Sequence, residues 1–438
     1  MNLAIIGTGH VGLVTGAVFA AKGHRVICVD NDTRKIKLLQ KNEMPIYEPG
    51  LAEMVLRQKR RQHLSFSTSI KEGMSFGELI FIAVGTPISE GGAPDMRYVE
   101  GVCYEIARYL SESTTSWKEY RVIVEKSTVP VQTAQRIKKL IRKYAPGIPF
   151  DIVSNPEFLQ EGTAIKTTIE PDRIVVGVES PRAEKIMRQL YANFSAPLII
   201  TDLNSAELIK HAANSFLATK ISYINAVARV CELVGADVRQ VARGLGLDKR
   251  IGPHFLKAGL GYGGYCLPKD VAAFHHFAGQ AGYDFNLLNE VQKINLAQRD
   301  YLVRKIAKEL RVIKGKKIGQ LGLSFKGGTD DIRESPALAV ARRLVEHGAK
   351  LQVYDPAVKQ SALRIPHSAF KFCRSIYEAA RGVHCLVIAT DWEEFSRINL
   401  RQLKKVMAHP TIIDGRNLLD PQTVRQAGFT YRGVGVPL

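Results

Sequence analysis

The segment Met1-Asn-Leu-Ala-Ile-Ile-Gly7-Thr-Gly-His-Val-Gly12 decides how the chain begins to fold. Its apolar residues predict a buried strand, and three glycines follow in the GxGxxG spacing that opens a helix. In such a turn Gly7 permits the bend, Gly9 lets a pyrophosphate approach the backbone, and Gly12 lets the helix pack closely on the strand. These glycines predict a dinucleotide site at a helix N-terminus, and Val11 is a further candidate for it.

Asp30 stands where such a site needs a carboxylate for the ribose. It ends the predicted strand Arg25–Val29, close to the expected offset of about 20 residues. The carboxylate would accept bonds from both ribose hydroxyls and repel a 2′-phosphate, so NAD is predicted over NADP. Arg34 and Lys35 are close enough to weaken that preference, and Lys35 is a further candidate for the cofactor site.

Two later strand ends add candidates for the same site. They are Gly85-Thr-Pro87 and Glu125-Lys-Ser-Thr-Val-Pro130, which place Thr86 and Thr128 just beyond predicted strands. Ligands bind at that edge in open α/β sheets. Each threonine is also compatible with an ordinary turn.

The pattern of the whole chain predicts an α/β fold. Short apolar runs alternate with helical periods, as in a parallel sheet covered by helices on both faces. From Asp202 to Val234 the pattern is helical, with Asp202 or Asn204 as its cap and Gly235 as its stop, and the strand–helix alternation resumes at Lys316. We expect two Rossmann-like doubly wound domains, 1–201 and 313–438, joined by a central helical domain, 202–312. The predicted strands are Leu3–Ile6, Arg25–Val29, Leu79–Val84, Tyr120–Glu125, Asp151–Ser154, Ile174–Val178, Pro197–Thr201, Lys317–Leu323, Lys350–Tyr354, Cys385–Ala389 and Thr411–Asp414.

Composition narrows the class of protein. With 438 residues, 45% hydrophobic and 24% charged, the chain suits a folded protein rather than a disordered or disulfide-dense one. The net charge of +19 indicates either a solvated cationic surface or an anionic partner. Six cysteines without a CxxC pair predict neither a metal site nor a disulfide framework. Because neither a signal peptide nor a long apolar run is found, we expect a cytoplasmic protein with no membrane contact.

Four segments supply the polar groups that a dehydrogenase needs. Each follows a predicted strand, lies on the central helix or occupies the glycine-rich loop 259–270. The candidates are Glu157 and Glu161, Lys210 and Asn214, Cys266 with Lys269 and Asp270, and Lys326 with Arg333. Because Lys210 and Asn214 are four residues apart, they share one helix face.

Each candidate also has an ordinary structural interpretation. A lysine on an apolar helix can extend to solvent, the glutamates can start an exposed helix, and Arg333 can pair with Glu334. A lone cysteine is usually a small core residue, and five of the six are interpreted in this way. Cys266 differs, because its loop is too rich in glycine to bury much and Lys269 would favour a thiolate.

Taken together, seven motifs resemble the UDP-glucose 6-dehydrogenase family, a group that also oxidises GDP-mannose and UDP-N-acetylhexosamines. They span nearly the whole chain in the family's order, and the cysteine loop is the most specific of them. The motifs are GTGHVG (7–12), YEPGL (47–51), EKSTVP (125–130), NPEFLQEG (155–162), KHAANSFLATKISYINAV (210–227), GYGGYCLPKD (261–270) and FKGGTDDIRES (325–335). The resemblance implies NAD as cofactor, a UDP-sugar as substrate and a homodimer or larger homo-oligomer built on the helical centre.

The resemblance also implies the chemistry. A sugar C6 alcohol would be oxidised to a carboxylate by two NAD and one water, while Cys266 holds the carbon as a thiohemiacetal and then as a thioester. Lys210 would stabilise the oxyanion. Asn214 would orient the water, and Asp270 with Glu157 would position or deprotonate it.

Further contacts are implied for the cofactor and the sugar nucleotide. Thr128 and Glu161 would lie near the nicotinamide, and Lys269 and Arg333 near the cofactor phosphates or ribose. The sugar and UDP would contact Glu157, Phe158, Leu159, Lys210, Asn214, Phe255, Leu256, Gly263, Lys326 and Arg416, and Arg250 would reach across a dimer interface.

Tyr265 departs from the family pattern, because many relatives carry a small residue directly before the cysteine. This leaves the hexose open, so GDP-mannose and a UDP-N-acetylhexosamine are alternative substrates. A nucleic-acid-binding protein is a remote alternative: the basic clusters Arg57–Arg61 and Arg136–Arg142 lack interleaved aromatic residues. A relative that binds without catalysis is disfavoured by the intact set of reacting groups.

Overall fold

A computed structural model describes residues 1–87, 93–112, 120–363 and 370–437. The chain forms two compact units. The first comprises residues 1–213 and 272–282, and the second comprises residues 214–271 and 283–438.

The first unit is built on one mostly parallel sheet with helices on both faces. Its strands are β1 (Asn2–Ile6), β2 (Arg25–Val29), β3 (Leu64–Ser67), β4 (Leu79–Ile82), β5 (Arg121–Glu125), β6 (Phe150–Ser154), β7 (Ile174–Gly177) and β8 (Leu198–Thr201). Its helices are α1 (His10–Ala21), α2 (Thr33–Gln40), α3 (Leu51–Arg60), α4 (Ile70–Phe76), α5 (Arg97–Glu112), α6 (Thr133–Tyr144), α7 (Ala164–Ile169) and α8 (Pro181–Leu190). Across the described residues the strand order is β3-β2-β1-β4-β5-β6-β7-β8.

The core of this unit follows from the alternation of side chains along the strands. Leu3 and Ile5 of β1 belong to one apolar cluster, and Ala4 and Ile6 belong to the cluster on the opposite face. The strand order reverses between β1 and β4, which opens a crevice at their carboxyl ends. The turn that begins at Gly7 lies at that point.

Two features of this sheet differ from the sequence prediction. Strand β3 was not predicted, because Leu64-Ser-Phe-Ser is short and half polar. The pairing of β6 with β7 is antiparallel, at Ser154 and Gly177, where a parallel pairing was expected. The connection between these strands carries only the six-residue α7 and does not make the crossover that a parallel pair needs.

Four helices follow in sequence: α9 (Leu203–Val234), α10 (Val238–Leu247), α11 (Cys266–Gln280) and α12 (Asn286–Leu310). Asp202 caps α9, because its Oδ1 accepts the Ser205 N–H at 2.9 Å. Gly235 ends the helix with a φ of +75°, a conformation that glycine adopts readily. The predicted cap and stop are confirmed, and no helix in the described ranges is long and apolar enough to cross a membrane.

The second unit contains a wholly parallel sheet. Its strands are β9 (Lys317–Leu321), β10 (Lys350–Tyr354), β11 (Phe370–Phe372), β12 (Cys385–Ile388), β13 (Thr411–Asp414) and β14 (Thr430–Gly433), in the order β11-β10-β9-β12-β13-β14 among the described residues. Its further helices are α13 (Pro336–Glu346), α14 (Ile376–Ala379), α15 (Glu393–Ser396), α16 (Leu400–Val406) and α17 (Pro421–Gln426), with a 3₁₀ turn at Gln360–Ala362. Two Rossmann-like α/β parts and a helical centre confirm the predicted fold class, although the short edge strands β11 and β14 were missed. The three domain boundaries stay predictions.

Candidate active site

The turn after β1 has the geometry of a dinucleotide cradle. A Cβ on Gly7 would lie 2.4 Å from the Ala83 carbonyl oxygen, and a Cβ on Gly12 would lie 1.9 Å from the Gly7 carbonyl oxygen. A Cβ on Gly9 would meet no protein atom within 4 Å. The turn is therefore tight where strand and helix pack, and open at the N-terminus of α1, where a pyrophosphate binds in this motif.

Asp30 is buried at the end of β2, beside this turn. Its Oδ2 accepts the Thr8 N–H at 2.8 Å and the Thr8 hydroxyl at 2.7 Å, and its Oδ1 accepts the Asp32 N–H at 2.9 Å. Burial alone would raise the pKa of Asp30, but these hydrogen bonds and the Lys35 ammonium hold it below its ordinary value. Because Oδ1 has one protein donor, it can still accept a ribose hydroxyl, and the residues present fit NAD.

Two threonines proposed for the cofactor lie together in the first unit. The buried Thr86 donates its hydroxyl to the Thr128 carbonyl oxygen at 2.8 Å. This bond joins the chain that follows β4 to the chain that follows β5. Both segments lie at the carboxyl edge of the sheet, as predicted from their positions after strands.

Lys210 forms a buried ion pair with Glu157. The distance from Nζ to Oε1 is 3.0 Å, and the two side chains are 4% and 6% exposed. Lys210 does not extend to solvent, and Glu157 does not lie at an exposed helix start. The ordinary structural interpretations of these two residues are therefore excluded. A buried pair of this kind holds an ammonium in a fixed position inside a water-poor site.

The residues after Glu157 are arranged around the same pair. Glu157 Oε2 accepts the Leu159 N–H at 2.7 Å, which fixes the local turn. The Phe158 ring lies 5.2 Å from Lys210 Nζ and 3.8 Å from the Arg173 guanidinium carbon. Glu161, four residues on from Glu157, is half-buried.

Lys126 is a buried cation that the sequence analysis did not single out. Its Nζ donates to Asn155 Oδ1 at 3.2 Å and to the Asn155 carbonyl oxygen at 3.3 Å. Burial lowers the pKa of Lys126 to about 8, helped by the Lys210 charge and opposed by Glu157. The residue stood in the quoted motif EKSTVP, but its burial depends on chain segments far away in sequence.

In the second unit, Cys266 is the first residue of α11 and is partly exposed, while the other five cysteines are buried. The loop before it is held by close packing. A Cβ on Gly263 would lie 2.4 Å from the Glu334 carbonyl oxygen, and one on Gly264 would lie 2.8 Å from the Phe325 ring. A helix N-terminus favours negative charge on a group placed there, which suits a nucleophilic sulfur.

Asn214 of α9 contacts Asp270, which lies four residues after Cys266 on α11, and all three residues belong to the same unit. The Asn214 amide donates to Asp270 Oδ2 at 2.5 Å, and Lys269 Nζ lies 2.6 Å from Asp270 Oδ1. Asp270 is 1% exposed. The cation at position 269, which we expected to act on the thiol and the cofactor, thus pairs directly with a candidate catalytic carboxylate.

Tyr265 lies close to two cations. The Arg333 guanidinium carbon is 4.6 Å and Lys269 Nζ is 5.7 Å from the centre of its ring. Burial raises the pKa of Tyr265 to about 12, helped by the nearby Cys266 and Asp270 and opposed by Arg333. Arg333 forms a bidentate ion pair with Asp331, so its suggested pairing with Glu334 is wrong.

The remaining substrate candidates lie in three places. Arg416 donates to the carbonyl oxygens of Ala389, Gly261 and Phe325, so it links three loops at the sheet's carboxyl edge, where Lys326 also lies. Burial lowers the pKa of Arg416, opposed by Asp391 and Asp414. Leu256 is buried, and Phe255, beside it, is half-buried with a φ of +63°. Arg250 is exposed and, within the described part of the chain, its side chain bonds only Asp248.

The second sheet resembles the opening of the first at two positions, although the helix after β9 begins only at Pro336. Gly322 follows β9 with positive φ, as Gly7 follows β1. Asp355 follows β10, as Asp30 follows β2, but it accepts five hydrogen bonds, from Leu323, Ser324, Ala357 and Val358. Its Oδ1 accepts two of these bonds, whereas Asp30 Oδ1 accepts one, which leaves Asp355 less capacity for a ribose than Asp30 has.

Models of the UDP-glucose/GDP-mannose dehydrogenase family match three parts of the chain. Its NAD binding domain matches residues 1–195, its central domain 204–297 and its UDP binding domain 319–421. No cluster of three or more His, Cys, Asp or Glu that could hold a metal ion is found among the residues that the structure describes.

Individual relatives are similar over their whole length. UDP-glucose 6-dehydrogenase TuaD of Bacillus subtilis (strain 168) is 44% identical over 437 residues, which cover 100% of this chain and 93% of that protein. The solved structure of a UDP-glucose dehydrogenase from Pyrobaculum islandicum is 35% identical, with a TM-score of 0.91 over 100% of this chain and 98% of that one. A UDP-D-ManNAc dehydrogenase from Pyrococcus horikoshii is 26% identical, with a TM-score of 0.86 over 99% of each chain.

Proposed function

The chain belongs to the UDP-glucose/GDP-mannose dehydrogenase family, and from this premise we propose that it oxidises the C6 alcohol of UDP-glucose to the carboxylate of UDP-glucuronate. It is an NAD-dependent dehydrogenase. One turnover takes UDP-glucose, two NAD and one water to UDP-glucuronate, two NADH and protons. The observation that carries the proposal is that α9 holds Lys210 in a buried pair with Glu157 and, one turn later, holds Asn214 against Asp270.

Cys266 is the proposed nucleophile. Two NAD molecules, bound in succession by the turn 7–12 and Asp30, would each accept one of the two hydrides that leave C6. Loss of the first hydride, with release of the hydroxyl proton, converts the C6 alcohol to an aldehyde. The Cys266 sulfur attacks the aldehyde carbon, a C–S bond forms, and the aldehyde oxygen takes up negative charge or a proton. Oxidation of this thiohemiacetal gives a thioester, and attack by water breaks the C–S bond and restores the thiol.

Lys210 is the proposed oxyanion partner. Its ammonium is held by Glu157 before any substrate arrives, so little reorganisation is needed when charge develops on the substrate oxygen. Glu157 keeps that ammonium in place and is also a candidate for handling the proton of the attacking water.

Asn214 and Asp270 are proposed to act on the water that cleaves the thioester. The Asn214 amide already donates to Asp270, which fixes the carboxylate, and Lys269 pairs with its other oxygen. A fixed carboxylate one helical turn after a nucleophilic cysteine is suited to orient the water and accept its proton.

We propose that the UDP-sugar contacts Phe255, Leu256, Gly263, Lys326 and Arg416, and that Thr86, Thr128, Glu161 and Arg333 serve the cofactor. The location of Arg416 and Lys326 at the carboxyl edge of the second sheet supports this assignment, because ligands bind there in α/β folds. Arg250 is proposed to reach a second subunit, which agrees with its exposure.

A homodimer through α9 is proposed from its exposed apolar face. Phe216, Tyr223 and Val230 are spaced by seven residues, and 65%, 55% and 56% of each is exposed. Apolar side chains at this spacing form a stripe suited to a second helix. Light scattering tests this directly: a Tyr223→Glu variant is expected to be a smaller species than the unaltered protein.

We also propose a cytoplasmic location, where the six free cysteines stay reduced.

The substrate is tested by measuring NADH released per sugar nucleotide consumed. We expect two NADH from UDP-glucose and a much lower kcat/KM with GDP-mannose, UDP-N-acetylglucosamine or UDP-N-acetylmannosamine. The higher identity to proteins named for UDP-glucose than to the UDP-D-ManNAc dehydrogenase supports this order. One NADH per sugar would indicate an aldehyde as the product, and a preference for another sugar nucleotide would replace UDP-glucose in the proposal.

A further inference from the structure

Helix α9 carries two buried polar side chains that bond the backbone of another segment. Glu207 and His211 are one turn apart, and they are 2% and 1% exposed. Both reach the connection between β5 and α6, residues 126–132. This connection carries Thr128, which the proposed function assigns to the cofactor.

Glu207 binds the start of α6. Its Oε2 accepts the Gln132 N–H at 2.6 Å, and its Oε1 accepts the Ala134 N–H at 2.8 Å. A carboxylate at this position satisfies two backbone donors that have no partner within the helix and faces the positive end of its dipole. Gln132 has a φ of +75°, an unfavourable conformation for a side chain larger than glycine, and one of these bonds stabilises it.

His211 bonds the middle of the same connection. Its Nε2 donates to the Val129 carbonyl oxygen at 2.8 Å. The rings of Phe274 and Phe277 pack beside the imidazole, with centroids 6.2 and 6.5 Å away. The two side chains of α9 therefore bond the backbone directly after Thr128 and again at the first turn of α6.

This arrangement differs from the helix starts that are capped locally, and it is shared by the start of α7, where Glu48 accepts the Gly162 and Ala164 N–H groups. Ser69, Ser180 and Ser335 each cap the helix that directly follows them. The cap residue of α6, Gln132, forms no such side-chain bond, and the donors are instead satisfied by a glutamate 75 residues away. A local cap stabilises only its own helix, whereas the bonds from Glu207 also fix the start of α6 relative to α9.

Lys210 stands between Glu207 and His211 in sequence. The turn of α9 that holds the Thr128 segment therefore also presents the ammonium paired with Glu157. A rotation or slide of α9 by a fraction of an ångström would move Lys210 Nζ relative to Thr128. Because reacting groups must be placed accurately, such a shift reduces the rate of the chemical step.

We propose that Glu207 and His211 are positioning residues that set the location of Lys210 relative to Thr128. The inference rests on the proposed function, in which the lysine stabilises the oxyanion and the threonine lies at the nicotinamide. Neither Glu207 nor His211 needs to touch substrate or cofactor. They act by holding α9 against the segment 126–134.

The test uses Glu207→Gln in the full-length protein at about pH 8. One amide oxygen cannot replace both carboxylate oxygens, since the amide nitrogen would face a backbone N–H. We expect kcat with UDP-glucose to fall about tenfold or more while the KM for UDP-glucose changes less than twofold. NAD affinity, measured by calorimetry without substrate, is expected to weaken about threefold because the Thr128 segment shifts.

Glu232→Gln is the matched control. Glu232 lies on the same helix, and its Oε1 accepts the Gly435 N–H at 2.7 Å and the Lys305 ammonium at 2.6 Å. Among the described residues it forms no hydrogen bond with segment 126–134. We expect its kcat and NAD affinity to equal those of the unaltered protein. Equal losses in both glutamine variants, or unaltered kinetics in Glu207→Gln, would overturn the inference. An unaltered protein without UDP-glucose activity would instead refute the proposed function.

A histidine pair keeps the inference testable if Glu207→Gln does not fold. His211→Gln retains an N–H donor for the Val129 carbonyl oxygen, whereas His211→Leu removes it. We expect the glutamine variant to keep most of kcat and the leucine variant to lose about tenfold with an unaltered KM for UDP-glucose. If both variants have the same kcat, the positioning role of His211 is wrong.

Discussion

Lys210 Nζ lies 3.0 Å from Glu157 Oε1, although the two residues are 53 positions apart in sequence. The pair joins α9 to the segment that follows β6. Its burial makes it sensitive to the loss of either partner, because a single buried charge is strongly unfavourable. Substituting one partner or both partners of the pair therefore separates its contribution to stability from its contribution to catalysis.

Replacing Lys210 by Met leaves the Glu157 carboxylate buried without its ion-pair partner. We expect the free energy of unfolding to fall by about 3–5 kcal/mol and kcat to fall by about 10²-fold or more. Adding Glu157→Gln should recover most of the stability but not the activity, since the ammonium is still missing. Urea denaturation and initial rates measure the two effects. Recovery of activity in the double variant would remove Lys210 from the proposed mechanism.

Gly9→Ala and Gly12→Ala form a matched pair in the cofactor turn. A Cβ at position 9 meets no atom of the described residues within 4 Å, so we expect an unaltered thermal unfolding temperature but NAD binding weakened by at least about tenfold. A Cβ at position 12 overlaps the Gly7 carbonyl oxygen at 1.9 Å, so we expect a loss of folded protein. Calorimetry with NAD and thermal melts test both. Normal NAD affinity in Gly9→Ala would show that the pyrophosphate does not approach this backbone.

Asp30→Asn tests the preference for NAD. The amide keeps an acceptor but removes the charge that repels a 2′-phosphate, so we expect the ratio of kcat/KM for NAD over NADP to fall by about tenfold. Asp32→Asn is the control, because Asp32 carries the same charge two residues away and caps α2. Equal effects of the two substitutions would assign the preference to general charge rather than to Asp30.

Cys266 is expected to be the reactive cysteine. It is partly exposed, whereas the other five cysteines are buried, so brief treatment of the folded protein with iodoacetamide should modify residue 266 first. Peptide mass spectrometry identifies the site. Cys266→Ser should abolish net formation of the acid while leaving NAD affinity unaltered. Full turnover by that variant would exclude a covalent intermediate on sulfur.

Glu207 gives a pH dependence of stability. Burial raises its pKa to about 7 from an ordinary value of 4.5, opposed by bonds from Ala134, Gln132 and Thr133. The folded protein therefore keeps this proton up to about pH 7, while the unfolded chain releases it near pH 4.5. Between about pH 5 and 8 the free energy of unfolding should fall by up to about 3 kcal/mol from this group alone.

The comparison with Glu207→Gln isolates that contribution. Other buried carboxyls with raised pKa, such as Asp414, contribute to both proteins and cancel in the difference. We expect the unaltered protein to lose stability relative to the variant as the pH rises. A constant difference across this range would show that Glu207 is ionised to the same extent in the folded and unfolded states.

Much of the fold could be predicted because its signals are local. The spacing of Gly7, Gly9 and Gly12 specifies a turn whose strain and clearance involve only nearby backbone. The limits of α9 follow from a capping aspartate and a stopping glycine, each within one turn of the helix. Strands β3, β11 and β14 were missed because three or four residues carry too little periodicity to identify an edge strand.

For the candidate site, the amino-acid sequence determined which residues carry reactive groups. Motif spacing and the composition of the cysteine loop depend only on residues that are close together in the chain. Tertiary structure decided their partners: Arg333 with Asp331 rather than Glu334, Lys269 with Asp270, and Glu207 with the start of α6. It also decided which charges are buried, as for Lys126. Burial and long-range pairing depend on which strand ends and helices converge, and no periodicity within a single segment encodes that convergence.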